Sequence, residues 1–221
     1  MKILLVAATK MELEPFLNIY DRGVRNTSVE ILVTGIGIAE TVYHLTHRLM
    51  QEKFDLVIQA GIAGSFKTKF KRGDVVLVRQ DIFAGPAIYE DGKYKTTFQV
   101  GLSGENDPPY RNGFLINDNR ILGSTHLGVV NAVTSDIITD KKNVNKRIKK
   151  KFNADIESME GAAFHFVCLQ QSVPFLQVRS ISNKVGIRDK SKWNIPVALK
   201  NLSIELITIL DDLVNSENDS R

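Results

Sequence analysis

The chain has 221 residues, 43% of them hydrophobic and 24% charged, which suffices for one large soluble α/β core or two small ones. Its net charge of +4 has one local source: the run 141–151, KKNVNKRIKKK, holds seven of the 29 Lys/Arg, and outside it 22 basic residues face 25 acidic ones. This excludes a basic face spread over the fold. With no aromatic side chain inside the run, it reads as a solvated helix or turn, with a phosphate-binding patch as the alternative and no base-stacking nucleic-acid surface.

In chain order, MKILLVAA opens as a strand over 2–8 rather than a leader, because its apolar run is short and Lys10, Glu12 and Glu14 follow at once. A helix is predicted over about 10–18, a strand over 29–34, a helix over 38–51, and strands over 55–60 and 74–79. Residues 83–113 break the rhythm with eight Gly/Pro among Phe83, Tyr89, Tyr94, Phe98 and Tyr110. An excursion of that length reads as a lid, a partner contact or an irregular crossover. There follow a strand over 127–133, helices over 139–151 and 159–171, a strand over 175–181 and a helix over 195–214. The last helix carries the apolar stripe Ile195, Leu199, Leu202, Leu206, Ile209, Leu213. The tail NSENDSR is expected to fray. Most strands are continuously apolar, as in a sheet covered on both faces. Alternation of strands and helices therefore predicts an α/β fold of three layers, α/β/α, around a mixed, mostly parallel sheet, as one domain over 1–221. No apolar stretch approaches the ~18 residues that span a bilayer. No membrane partner is expected, and the cytoplasm is the expected compartment. Cys168 reads as a small buried hydrophobe.

Ligands of open α/β sheets collect beyond the strand ends. Four strands are read as ending in polar or glycine-rich turns: ATKMELE with Glu12, TGIG at 34–37, AGIAGS at 60–65, and RSISN at 179–183. Each alone has an ordinary explanation, since tight turns use glycine and a first-turn glutamate suits the helix dipole. Glu160, in IESMEGAAFHFVC, is an acid beside an apolar run. It is either a solvated first-turn residue or one that a polar partner must meet, because burying it alone is costly. His44 and His47 sit three apart on a helix with no further ligand nearby, so they read as a surface pair and no metal is expected. His165 reads as a core or interface histidine. No G-x-S-x-G elbow supports a serine hydrolase.

Taken together, MKILLVAATKMELEP, VTGIG, QAGIAGSF, GDVVLV, SDIITD, ESMEGAAFHFVC and VRSISN resemble the nucleoside phosphorylase and nucleosidase superfamily, in its purine nucleosidase branch, over nearly the whole chain. Within it, ESMEGAAF, RSISN and DKSKWNIPVALKNL are most similar to the futalosine hydrolases, which release hypoxanthine from futalosine on an alternative route to menaquinone. The resemblance implies a nucleoside phosphorylase-like fold, a small purine nucleoside as substrate, no cofactor, no nucleic acid, and a homodimer or larger homo-oligomer. It also implies roles. Glu12 would hold and deprotonate the attacking water, Arg179 would lie beside the water and the carboxylates, and Glu160 would accept from the ribose hydroxyls above Met159. Gly61, Ile137, Ile138, Ser158 and Ser182 would complete the substrate site. Asn183 stands where adenine nucleosidases carry an aspartate that protonates N7. An amide delivers no proton but donates to O6 or N7 and accepts from N1–H, which favours a 6-oxopurine.

Two departures from the family pattern accompany this. Ile137 and Ile138 replace a base-stacking aromatic residue, and Ile62 replaces a small hydroxyl residue. No Gly-Asp-Pro-x-x-Arg phosphate motif follows the first strand, which favours water as nucleophile, although the Gly35–Gly37 turn could hold an anion. Arg188, Lys192 and Trp193, or the 83–113 excursion, are candidates for anchoring a substrate carboxylate. The rival readings are an inosine/guanosine phosphorylase or general purine nucleosidase, a silent purine-binding module, and a nucleic-acid binder using 141–151.

Overall fold

The computed structural model describes residues 1–20, 28–90, 92–123 and 125–218, with side chains as far as 215. In chain order its elements are β1 (Lys2–Ala7), α1 (Lys10–Ile19), β2 (Ser28–Val33), α2 (Ile38–Gln51), β3 (Leu56–Ser65), β4 (Val75–Asp81), β5 (Ala87–Glu90), β6 (Lys93–Thr96), β7 (Leu115–Ile116), β8 (Gly128–Thr134), α3 (Lys142–Phe152), β9 (Ile156–Ser158), α4 (Gly161–Gln170), β10 (Phe175–Lys184) and α5 (Ile195–Asn218). The six sequence-predicted strands are β1, β2, β3, β4, β8 and β10. The five predicted helices are α1 to α5. Helix α5 runs past the expected fraying point through Asn218, and 219–221 lie outside the described residues.

The sheet is mixed. β1–β2, β1–β3, β3–β10, β4–β8 and β8–β9 pair in parallel, whereas β4–β10, β3–β9 and β4–β7 pair antiparallel. Because β10 joins both β3 and β4 while β9 joins both β3 and β8, strands β3, β10, β4, β8 and β9 close into a ring, and β1 and β2 extend from it as an open wing. Ala63, Val76, Val78, Val130, Ala132, Ile156 and Ile181 fill the ring. Register shifts at Val78/Gln80 and Ile181/Asn183 supply bulges that curl it.

Helices cover both faces of the wing. Leu13 and Phe16 of α1 and the Leu202–Leu213 stripe of α5 bury against Ile3, Leu5, Ile58 and Val178. On the other face Leu45 of α2 and Phe164, Val167 and Cys168 of α4 meet Leu4, Val6 and Val57. The predicted three-layer α/β/α arrangement is what the chain forms, with half of the middle layer rolled up.

The basic run is helix α3, which docks through Ile148 and Phe152 and begins at Lys142 rather than 139. Several of its cations are tied down: Lys149 Nζ donates to Phe66 O (2.9 Å), Lys151 Nζ to Tyr94 O (2.8 Å), and Arg147 Nη1 to Tyr89 Oη (2.9 Å). The 83–113 excursion is partly regular. Strands β5 and β6 form a hairpin, Tyr94 packs edge-on to Phe152, and Phe83 and Tyr110 pack on Phe166 of α4. No described helix is long and apolar enough to cross a membrane.

Candidate active site

The site forms where β1, β2 and β9 end, beside the middle of β3 and β10. α1 enters it through its first turn: Glu12 is the third helical residue, and its Oε2 accepts from Thr9 N (3.1 Å) and Thr9 Oγ1 (3.2 Å). This reciprocal capping geometry fixes both the helix start and the carboxylate. The other oxygen, Oε1, accepts from Ile62 N (3.1 Å). Glu12 is thus buried with both oxygens held in place.

Arg179 projects from β10 and is only 1% exposed. Its Nη2 donates to Gln59 Oε1 at 2.7 Å, and its Nη1 lies over Gly61, the residue paired with Arg179 across β3. A Cβ at Gly61 would overlap Nη1 and come within 2.9 Å of Glu12 Oε1. The sequence reading of AGIAGS and RSISN as turns is therefore corrected. Both segments are strand, because β3 and β10 pair along their full lengths. The glycine is used for the close approach of two side chains and not for a turn.

Glu160 is the N-cap of α4, so the helix starts two residues later than predicted. It is buried, and its Oε1 accepts from Gly37 N at 3.0 Å. Gly37, at φ +91°, takes the left-handed conformation that glycine favours and turns its N–H toward the carboxylate. Asp136 Oδ1 accepts from the neighbouring Ile38 N at 3.2 Å. The Gly35–Gly37 turn, which by sequence could hold an anion, gives its Gly37 N–H to a carboxylate of the chain itself, and Ile38 N goes to a second. Burial pushes the Glu160 carboxyl above its ordinary range, with Glu12 adding to the rise, whereas Arg179 and the Gly37 N–H pull it down.

Asn183 sits further along β10, half-buried, with Oδ1 accepting from Ser182 Oγ (2.7 Å) and Nδ2 donating to Lys184 O (3.1 Å). Gly64 lies beside it: a Cβ there would stand 3.4 Å from Asn183 Nδ2. Met159 is half-buried next to Glu160. Glu12, Gly61, Arg179 and Glu160 therefore converge, with Asn183 and Ser182 at the adjoining end of β10.

The remaining predicted residues are placed differently. Ser158 turns its hydroxyl to Gly161 N (3.3 Å) and serves the start of α4. Ser182 is buried behind Asn183 and orients it. Ile137 is 77% exposed on the rim and Ile138 half-buried behind it. Trp193 donates from Nε1 to Ile187 O (2.7 Å) under the Arg188 guanidinium, and Lys192 pairs with Asp189 (3.6 Å). Among the described residues no group of three or more His, Cys, Asp or Glu could hold a metal ion. His44 pairs with Glu40 (3.2 Å) on the exposed face of α2.

Sequence reasoning missed a buried polar layer beneath α4. Asp81, fully buried, accepts from Ile82 N (2.8 Å), Thr134 Oγ1 (3.0 Å) and Gln177 Nε2 (3.3 Å). Thr134 Oγ1 in turn accepts from Ala162 N at 2.7 Å, so the layer holds the helix that presents Glu160. Burial pushes Asp81 up to about 7 and His165, with Nδ1 3.1 Å from Leu115 O, down to about 3. Glu157 was missed too: it is buried in β9, with Oε1 making no hydrogen bond among the described residues. The available signal was a polar residue closing an apolar strand, in VVLVRQD and VVNAVT.

Comparison with known proteins agrees with this geometry. The family model of the phosphorylase superfamily matches residues 12–211. Futalosine hydrolase of Thermus thermophilus is 29% identical over 209 residues, covering 90% of this chain and 91% of that protein. The 5'-methylthioadenosine/S-adenosylhomocysteine nucleosidase of Haemophilus ducreyi is 30% identical, covering 88% and 84%. In fold, the native structure of futalosine hydrolase of Helicobacter pylori superposes with a TM-score of 0.79 at 17% identity, over 96% of this chain and 98% of that one. A family match that begins at the capping glutamate and takes in every element from β2 to β10 leaves one assignment: the chain belongs to the phosphorylase superfamily.

Proposed function

We propose that the protein is a hydrolase that cleaves the N-glycosidic bond of futalosine and releases hypoxanthine. The observation that carries the reading is Asn183. Ser182 donates to its Oδ1, which turns Nδ2 outward as a donor with one N–H beyond the bond to Lys184 O. An N–H suits the O6/N7 edge of a 6-oxopurine, and the position lacks the carboxyl that would protonate a 6-aminopurine. The similarity to the Thermus futalosine hydrolase over most of both chains supports the same choice.

In this reading water attacks C1′ as the C1′–N9 bond opens. Glu12, its carboxylate fixed by Thr9 and Ile62, orients the water and takes its proton, a contribution of about 10²- to 10⁴-fold. Glu160 accepts from the ribose hydroxyls, with Met159 against the sugar. Arg179 holds the two carboxylates at their spacing and offsets their mutual repulsion. Residues 1–221 act as one unit in the cytoplasm, as a homodimer or larger homo-oligomer, on the menaquinone route.

The test is chromatographic detection of free base from futalosine, inosine, guanosine and methylthioadenosine, with and without phosphate. Hypoxanthine released from futalosine without phosphate is the expected result. Release of adenine alone, or ribose 1-phosphate formed only with phosphate, refutes the proposal.

A further inference from the structure

With an asparagine at 183, the departing purine still needs a proton, and the amide has none to give. The neighbouring strand offers one. β9 runs antiparallel to the end of β3 with Glu157 directly opposite Gly64. Residues so paired project from the same face of the sheet. On that face Gly64 carries no side chain of its own, and a Cβ there would stand 3.0 Å from Val185 Cγ2 and 3.4 Å from Asn183 Nδ2. Glu157 therefore leaves the sheet toward the side on which the base-facing amide lies. It is 4% exposed, and its sealed Oε1 has no hydrogen-bond partner among the described residues, an arrangement that is costly unless a ligand completes it.

We propose that Glu157, in its protonated form, is the acid that serves the leaving purine beside Asn183. The inference rests on the nucleosidase reading above. As C1′–N9 breaks, its electron pair passes to the purine. The Glu157 carboxyl proton goes to the O6/N7 edge of the base, and water closes on C1′ while its proton passes to Glu12. The base leaves neutral, and Glu157 and Glu12 exchange their protons with solvent to reset. Burial supports the protonated form by pushing the Glu157 carboxyl up to about 7, against the pull of Arg188. The charged groups on neighbouring elements are Arg188 after β10, Lys184 at its end, Lys149 of α3 and the Lys67–Asp155 pair (3.4 Å). Arg188 opposes the rise, so desolvation is its source. An amide and a buried acid would divide the work at the base: Asn183 recognises, Glu157 protonates.

The experiment compares the unaltered protein with Glu157→Gln on two substrates, across pH 5–9. One is the purine nucleoside the unaltered protein cleaves, and the other is the 4-nitrophenyl glycoside of the same sugar, whose phenolate departs without a proton. Expected is a loss of about 100-fold or more in kcat on the nucleoside, less than about tenfold on the nitrophenyl glycoside, and disappearance of the fall in kcat/KM above about pH 7. Hypoxanthine binding measured by calorimetry stays within about threefold, because glutamine keeps a donor of the same size. Equal losses on both substrates, or nucleoside turnover within about threefold of the unaltered protein, overturns the inference. If the unaltered protein releases adenine and no hypoxanthine, the oxopurine reading fails instead, and the same pair of measurements on the adenine nucleoside still judges Glu157.

Discussion

Replacing Gly61 by alanine tests whether the site's geometry depends on the absence of one methyl group. The new Cβ would overlap Arg179 Nη1 and stand 2.9 Å from Glu12 Oε1, inside the ordinary carbon–oxygen contact of ~3.4 Å. Neither neighbour has an easy retreat. Arg179 is almost fully enclosed and bonded to Gln59, and Glu12 is held by Thr9 at one oxygen and by Ile62 N at the other. Relief requires the guanidinium to give up its 2.7 Å bond to Gln59, a charged hydrogen bond worth about 1.5–3 kcal/mol, or the strand to shift at a similar overpacking cost of about 1–3 kcal/mol. A loss near 2 kcal/mol lowers Tm by about 4–8 °C in a chain of this size. Turnover falls further, by about 100-fold, because the displaced groups are the proposed base and its cation. Thermal unfolding and initial rates on one preparation measure both. Gly64→Ala, whose Cβ meets only ordinary or slightly tight neighbours, is the control and should cost less. A Gly61→Ala protein that melts within about 1 °C of the parent and turns over within about twofold refutes the reasoning.

Three further outcomes are expected. Glu12→Gln keeps an oxygen toward Thr9 but sets its amide N–H against Ile62 N, which costs about 1–3 kcal/mol of stability, while kcat drops by about 10²- to 10⁴-fold; near-normal rates would remove Glu12 as base. Asn183→Asp restores a carboxyl at the base edge and should shift the hypoxanthine-to-adenine release ratio toward adenine by about tenfold or more, whereas an unchanged ratio would place base selection elsewhere. Asp81 is held at about 7 against 3.8 in the unfolded chain, so the folded state keeps a proton that the unfolded state releases. The stability this contributes is complete below pH 3.8 and is lost as pH rises to about 7. Asp81→Asn, which cannot titrate, should flatten the fall of Tm between pH 4 and 7, and an equal slope in both proteins would show that Asp81 does not titrate there.

The buried polar layer explains why these effects couple. Asp81 holds Thr134, Thr134 accepts from Ala162 N in the first turn of α4, and Glu160 is the N-cap of that helix. An unsatisfied donor anywhere along that chain costs about 1–3 kcal/mol and frees the carboxylate that the proposed ribose contact needs.

The sequence by itself determined the alternation of strands and helices, since continuous apolar runs and the 3.6-residue stripe of α5 are local properties of the chain. It also marked Glu12, Glu160, Arg179 and Asn183 through a combination of motifs whose order, rather than any single member, was specific. Tertiary structure alone decided how those residues meet. The closing of the sheet into a ring depends on β10 pairing at both edges and on β9, three residues too short to carry a periodic signal. The use of Gly61 as clearance for Arg179 and Glu12, and of Gly37 as the partner of Glu160, depends on residues tens of positions apart, whereas Ser158 and Ser182 support groups only three and one residues away. Glu157 was illegible for the same reason: a carboxyl inside ESMEGAAF is distinguished from its neighbours only by the face of the strand it leaves and the glycine standing opposite, and both are set by pairing across the sheet.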